Sequence, residues 1–400
     1  ILYLFSTGEN RYLNFLYAEL ERYLHNVRRF NIVEYCHRNG IKNLEKNIMD
    51  LISAEKIDIV ISSPFATDYQ LSVEFYAALK EKTGLVFWMW DDEAYFDVYS
   101  KYYSQVADAV ISCDYYSVFA YEKFGIPVIF YLPTIDNNSY YPVKSIKDID
   151  VCFIGSCNQN DRAGYINFLI ENGINIETFG YGSKNGFVNS KELAGILSRS
   201  KIVLNFNKLD KLDWINQDEP LLNKVRQSGG HYCESALTKS FCLAEYTPDL
   251  NILAEIGKEI DVFHNKYELL EKIKYYLAND SERETMAEKA YKRAITNCVP
   301  EITIPKILKE LENILGNINK QKFTETKIFL SKNFKRNSIN GLTFDMFVLI
   351  KNRKLKYAFE LFRELFRYGI FNFIAGFYGG FIRVAENMIN KCRKKFQKAK

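Results

Sequence analysis

Three short stretches of this sequence carry side chains whose types and spacing could do chemistry. Gly155-Ser156 closes the apolar run Asp150–Ile154, just ahead of a helical pattern that begins near Asp161. A glycine there lets backbone come close to a ligand, and the N-terminus of the next helix favours an anion such as pyrophosphate. The segment Arg226-Gln227-Ser228-Gly229-Gly230-His231-Tyr232-Cys233-Glu234 sets paired glycines before a second helix, with Glu234 in its first turns. One carboxylate so placed can accept hydrogen bonds from both hydroxyls of a ribose. Arg226 or His231 could hold a diphosphate, Arg226 as a two-pronged fork. The same residues also read as a Glu that neutralises a helix N-terminus beside a solvated Arg. Third, Asp91-Asp92-Glu93 follows the apolar run Leu85–Trp90, which places the acids at a strand's carboxyl end. Asp92 and Asp91 are the candidate catalytic carboxylates, as general base for an attacking hydroxyl.

The elements that must position these residues alternate along the chain. Strand candidates fall at 1–6, 30–35, 57–63, 85–90, 108–113 and 127–131, then at 150–155, 175–179, 202–206, 240–245 and 260–263. Amphipathic stretches at 12–25, 69–81, 161–172, 190–198 and 267–278 lie between them. That alternation predicts βαβ units and parallel sheets covered on both faces. Leu132-Pro133, Asp136-Asn137-Asn138-Ser139 and Pro142 form a turn-rich break after the sixth strand, and Asp150–Gly155 restarts the pattern. The reading is two doubly wound α/β domains joined near 145 and facing a cleft, with ligands at the carboxyl ends of the strands.

Charge divides the chain differently. Residues 321–400 hold 18 Lys/Arg against 5 Asp/Glu, which leaves 35 basic and 44 acidic residues in 1–320. A mildly acidic body with a basic, helical tail is expected to meet something anionic. With 48% apolar and 15% aromatic residues the chain is neither disordered nor fibrous. GxGxxG and P-loop motifs are absent, which argues against a dinucleotide oxidoreductase or a P-loop NTPase. The eight Cys form no CxxC pair and there are only four His, so buried reduced thiols are expected and no metal centre. The longest strongly apolar uncharged run, Tyr368–Ile382, is fifteen residues, short of the roughly 20 that span a bilayer. Residue 1 already opens a strand pattern, so a cytoplasmic protein is expected.

At this point the residues resemble a known family. Phe153-Ile154-Gly155-Ser156, Arg162, Val203-Leu204-Asn205, Glu234-Ser235-Ala236-Leu237 and Phe241–Leu250 occur in the order and spacing of the CgeB-like (spore maturation protein B-like) glycosyltransferases. These are two-domain group 1 glycosyltransferases. Trp90-Asp91-Asp92-Glu93, Gly125-Ile126-Pro127 and Tyr140-Tyr141-Pro142 extend the likeness upstream, over about residues 1–315. The resemblance implies a GT-B fold, with two Rossmann-like domains, an acceptor-side domain at 1–145 and a nucleotide-sugar donor domain at 146–320. It implies that Gly155 and Ser156 face the donor phosphates, that Arg162 contacts phosphate, and that Glu234 binds the ribose. The segment Phe241–Tyr246, Glu245 included, would floor the donor site. Two departures stand out: His231 where the family usually has Arg, and Lys239 where Gly is common.

The expected activity is transfer of a hexosyl group from a nucleotide-diphosphate sugar to a hydroxyl acceptor in glycan or glycoconjugate synthesis. No cofactor or metal is expected beyond the donor itself, and no nucleic-acid partner. Two alternatives stay open: a degenerate, glycosyltransferase-like scaffold, and a metal-dependent GT-A-type enzyme using Asp91-Asp92-Glu93 as its acidic motif. Asp148-Ile149-Asp150 also spells D-x-D but reads as solvated linker ahead of a strand. The 321–400 tail, with its Phe, Leu, Ile and Tyr residues and thirteen Lys/Arg from 351 onward, predicts peripheral association with an anionic membrane, through residues 344–400.

Overall fold

A computed structural model describes residues 1–5, 11–24, 26–64, 71–159, 161–208, 226–316 and 327–398. Among the described residues eleven strands form two sheets, both parallel throughout. The first sheet has the order β2-β1-β3-β4-β5-β6, from β1 (Leu2–Phe5), β2 (Arg28–Asn31), β3 (Ile59–Ser63), β4 (Gly84–Met89), β5 (Ala109–Ser112) and β6 (Val128–Phe130). The second has the order β11-β10-β9-β7-β8, from β7 (Ile149–Ile154), β8 (Ile176–Phe179), β9 (Ser200–Asn205), β10 (Phe241–Glu245) and β11 (Asp261–Phe263). The predicted alternation is therefore the observed one, strand for strand. The reason is that a parallel strand buried on both faces must be apolar at nearly every position, and β4 is buried at all six of its residues.

One boundary moved. The second strand was expected at 30–35 but ends at Asn31, because the Asn31 side chain accepts from the Glu34 amide and caps the helix Ile32–Asn39.

Each sheet has its own core. Leu243, Phe241, Ile202, Leu204, Phe263 and Leu269 belong to the apolar cluster of the second sheet. The first sheet's cluster joins Leu4, Val60, Phe87 and Tyr103 to Phe334, Ile339, Leu342, Leu349, Leu361 and Leu365. The first five of those last six come from the helices Lys332–Lys351 and Leu355–Glu364, and Leu365 caps the second. The chain thus divides into two compact units, one with residues 1–130 and the C-terminal stretch from 307, the other with 131–306 apart from residues 212–220. The 321–400 stretch, expected as an appended tail, supplies core to the first unit. Its apolar stripes are buried because they cover one face of the first sheet's helices. The expected boundary at 320/321 lies outside the described residues, as do the side chains of the basic stretch 391–398.

The helix Ile370–Lys398 packs on Lys332–Lys351 through its glycines. A Cβ at Gly376 would lie 2.6 Å from the Arg336 carbonyl oxygen and from Ile339 Cβ, and one at Gly380 would lie 2.4 Å from Thr343 Cβ. The Gly-punctuated apolar run is therefore a close helix crossing. Among the described residues no helix is long and apolar enough to cross a membrane.

Candidate functional site

The second sheet assembles the site by register. Ala244 of β10 lies beside Asn205 of β9, Phe153 of β7 beside Leu204, and Glu245 beside Phe263 of β11. With all strands parallel, the segments that leave their carboxyl ends emerge along one edge: Gly155-Ser156, Phe206-Asn207-Lys208, Tyr246 and His264.

Gly155 begins this edge. Its N–H donates to the Phe179 carbonyl (2.8 Å), and a Cβ on Gly155 would come within 2.9 Å of the Phe153 ring. A Cβ on Gly180 would strike the Gly155 carbonyl oxygen at 2.3 Å, so the two loops pass with backbone against backbone. Arg162 opens the helix Arg162–Glu171 and reaches back across both loops. Its guanidinium donates to the Ser156 carbonyl (3.2 Å), to Gln159 Oε1 (2.8 Å) and to the Phe206 carbonyl (3.4 Å). Arg162 thereby ties the β7 loop to the β9 loop while placing a cation at their junction.

Glu245 ends β10 and is buried, with 5% exposure. One carboxylate oxygen accepts the amides of Asn207 and Lys208 (3.0 Å each), and the other accepts Arg226 Nε at 2.8 Å. Its backbone carbonyl accepts Asn207 Nδ2 at 2.6 Å. The acid expected on the floor of a donor site is thus the anchor of the loop around that site. It neutralises Arg226, whose side chain remains about one-third exposed. Lys208 pairs with Asp161 (2.9 Å) at the start of the Arg162 helix. Asp249 completes the frame: it accepts the Ser228 amide at 3.0 Å, the Ser228 hydroxyl, and the Thr247 hydroxyl at 2.5 Å.

Past Ser228 the paired glycines lead into the helix His231–Leu237. A Cβ on Gly230 would meet Ile135 Cδ1 at 2.8 Å, which accounts for one of the two glycines by packing. His231 Nδ1 lies 2.8 Å from Glu234 Oε2. The Glu234 carboxylate is the main cause of an upward shift in the His231 pKa from its ordinary 6.5, opposed by desolvation and then by the Arg162 guanidinium. His231 is therefore biased toward the cationic form. It holds its proton more tightly than a free imidazole and loses the charge as pH rises through the raised value.

Lys239 has φ 55°, the left-handed region that glycine enters freely, which explains why Gly suits this position. Its ammonium pairs with Glu288 (2.8 Å) and sits 4.5 Å from the Tyr291 ring centroid, both on the helix Asp280–Asn297. The lysine side chain thus points away from the strand-end loops.

The structure therefore groups Gly155, Ser156, Arg162, Arg226, His231, Glu234 and Glu245 around one sheet edge. Asn207, Lys208 and Asp249 were missed by sequence reasoning. The first two follow a strand's carboxyl end, the same signal that singled out Gly155. The Asp249 role needed the fold, because its partner Ser228 lies 21 residues away.

The acidic motif of the first unit divides. Asp91 is half-buried after β4 with φ 55° and ψ 37°, a left-handed conformation uncommon for a non-glycine residue. Asp92 does not face an open site, contrary to expectation. It is 1% exposed and accepts from the Ser112 hydroxyl (2.9 Å) and the Tyr121 hydroxyl (2.7 Å). Burial, and then the neighbouring Asp114 carboxylate, push its pKa up to about 7. A group this enclosed cannot meet an acceptor hydroxyl; it packs the β4–β5 turn. A raised carboxyl pKa means that the buried anion costs stability above the unfolded pKa of 3.8, with the full cost reached above about 7. Asp92→Asn is therefore expected to raise the thermal midpoint at pH 8 and to leave it nearly unchanged at pH 4. Unfolding scans at the two pH values check this, and equal shifts at both would exclude the ionised carboxylate as the cause.

The Asp148-Ile149-Asp150 sequence is engaged elsewhere. Asp148 takes a two-pronged bond from Arg199 (2.8 and 2.6 Å), and Asp150 pairs with Lys201 at 2.6 Å. Among the described residues no cluster of three or more His, Cys, Asp or Glu could hold a metal ion. Six of the described Cys are buried and Cys113 is half-buried, and Cys233 Sγ lies 2.8 Å from Cys298 Sγ.

Comparison with known proteins agrees with this geometry. The chain is similar to sucrose-phosphate synthase from Thermosynechococcus elongatus, with TM-score 0.57, 10% identity, and coverage of 79% of this chain and 98% of that one. HepE of Anabaena, solved in complex with UDP, has TM-score 0.55 and 12% identity over 79% of this chain and 99% of its own. A glycosyltransferase from Rickettsia africae has TM-score 0.51 and 11% identity over 79% and 99%. No curated protein matches the sequence. The fold is the GT-B fold of such enzymes, and residues 143–304, which carry the whole strand-end cluster, match the family described as glycosyl transferase-like.

Proposed function

We propose that this protein is a glycosyltransferase that moves a sugar from a nucleoside-diphosphate donor to a hydroxyl acceptor. The carrying observation is the convergence of Arg162, Lys208, Arg226 and His231 with Glu234 at one sheet edge, inside the segment that matches the glycosyl transferase-like family. In the reaction the acceptor oxygen bonds to the anomeric carbon and the bond from that carbon to the diphosphate breaks. The acceptor proton leaves to a base, and the diphosphate departs with one more negative charge. The cations at the strand ends would stabilise that charge where it develops, so no metal ion is needed. Glu234 would take the ribose hydroxyls, with His231 holding it in place. Asp91, half-buried and held in a left-handed turn, is the remaining candidate for the acceptor side. HepE was solved with UDP and with UDP-glucose, which makes uridine diphosphate hexoses the first donors to try. A polysaccharide or other glycoconjugate would supply the hydroxyl.

A thermal-shift series with UDP, GDP, dTDP and CMP, with and without EDTA, tests the reading. One diphosphate should raise the midpoint with EDTA present. Glu234→Ala should weaken that ligand about tenfold or more, about 1.4 kcal/mol. A second reading is favoured by one observation: His231 is paired with Glu234 and Arg226 with Glu245, so the charges that would grip a donor already satisfy one another. A glycosyltransferase-like scaffold would then show no shift with any nucleotide, or a shift without turnover. Activity abolished by EDTA would instead support a metal-dependent enzyme.

A further inference from the structure

The C-terminal helices bury one face and leave another uncovered. Gly376 and Gly380 press the helix Ile370–Lys398 onto Lys332–Lys351, and this fixes its rotation. The side chains at 371, 374, 378 and 381, spaced three and four residues apart, must then share the opposite side. All four are exposed, Phe371 by 80% and Tyr378 by 68%. The helix Leu355–Glu364 does the same at Leu355, Phe359 and Phe362. The two helices meet beside these stripes: Phe362 lies 5.5 Å from Phe366, and Phe366 stacks at 4.5 Å on Phe373, which is partly buried against the core. Neighbouring exposed apolar stripes of this kind mark a place of association.

Charge identifies the occupant. Residues 351–400 contain thirteen Lys/Arg and three Asp/Glu. Exposed Lys351, Arg353, Lys356 and Arg363 flank the aromatic stripe. Two of the three acids are engaged internally: Glu360 accepts the Ile41 and Lys42 amides (3.1 and 3.4 Å), and Glu364 pairs with Arg367 at 2.6 Å. The rim is left net cationic. A second copy of the chain would set like charge against like charge, whereas anionic headgroups complement the rim while their acyl boundary takes the rings.

We propose that the outer faces of Leu355–Glu364 and Ile370–Lys398 dock on an anionic phospholipid bilayer, with Phe359, Phe362, Phe371, Ile374 and Tyr378 at headgroup depth. This places the first unit at a membrane surface without spanning it. The inference is independent of the transfer reaction, and its test reads no activity. The full-length protein is sedimented with vesicles of equimolar phosphatidylglycerol and phosphatidylcholine, and with phosphatidylcholine alone. Partition onto the anionic vesicles should be higher by about tenfold or more and should fall with added salt. The combined Phe371→Ser, Ile374→Ser and Tyr378→Ser variant should lose most of that partition with an unchanged thermal midpoint, since these residues are exposed. If its midpoint drops, Lys356→Glu with Arg363→Glu reads the electrostatic half on its own. Equal partition onto both vesicle types, or undiminished binding by the folded variant, overturns the proposal. So does a native dimer, seen by light scattering, that the variant converts to monomer in the absence of any vesicle binding.

Discussion

Glu245→Ala should lower the stability of the second unit by about 2–4 kcal/mol and abolish nucleotide binding together with it. The carboxylate holds three donors from the connection that follows β9, the amides of Asn207 and Lys208 and the Arg226 guanidinium. Removing it strands two amides in a buried setting, at about 1–3 kcal/mol each. The Arg226 pair adds less, because that side chain is about one-third exposed and solvent screens it. A loss of this size lowers the midpoint by about 5–15 °C. Glu245→Gln keeps one acceptor oxygen and should fall between the two. Thermal unfolding of both variants, with and without a nucleoside diphosphate, makes the measurement. An unchanged midpoint for the alanine variant would mean that the loop is held by other contacts, and Glu245 would return to being a direct donor ligand.

The second large effect lies far from that site. Phe334→Ala is expected to destabilise the first unit by about 3–5 kcal/mol. The ring is fully buried, with centroids 4.7, 5.5 and 5.8 Å from those of Tyr102, Tyr103 and Tyr99. Its removal leaves a cavity walled by aromatic rings that have no freedom to collapse. Truncation near residue 325 should do more, since it also strips Ile339, Leu342, Leu349, Leu361 and Leu365 from the same core. Chemical denaturation followed by circular dichroism reads both. If the C-terminal stretch were an independent tail, Phe334→Ala would leave the main transition in place and truncation would be harmless.

This second result bears on how much could be read in advance. Strand positions and sheet type were legible, because strands covered on both faces show as short apolar runs such as Leu85–Met89. Helix caps were less so: Asn31 ended β2 early through one side-chain bond to the Glu34 amide. The C-terminal stretch misled for a definite reason. An amphipathic helix has the same periodicity whether its apolar stripe meets lipid or protein. Here the three C-terminal helices carry stripes of both exposures, with Phe334 and Leu361 buried in the core and Phe359 and Phe371 exposed.

The strand-end residues were legible by type but not by contact. Gly155, Arg162, Glu234 and Glu245 all lie at the sheet edge that their spacing implied, yet Arg162 and Glu245 spend their hydrogen bonds on neighbouring loops. Lys239, a departure from the family pattern, proved to occupy a left-handed turn with its side chain on another helix. Asp92 and Asp91 are adjacent in sequence, and one is buried under Tyr121 while the other remains half-open.

What the sequence determined by itself was local. Apolar periodicity set the eleven strands, and parallel pairing then required their carboxyl ends to share an edge, which brought the loop residues together. The tertiary structure alone decided which charges met. Burial of Asp92 beneath Tyr121, capture of Arg226 by Glu245 and the core position of Phe334 each depend on distances between segments separated in the chain, whereas His231 and Glu234 meet three residues apart on one helix. A charged or aromatic side chain carries no record of its partner, and the energy of its interaction is set by solvent exposure and separation, which exist only once the chain has folded.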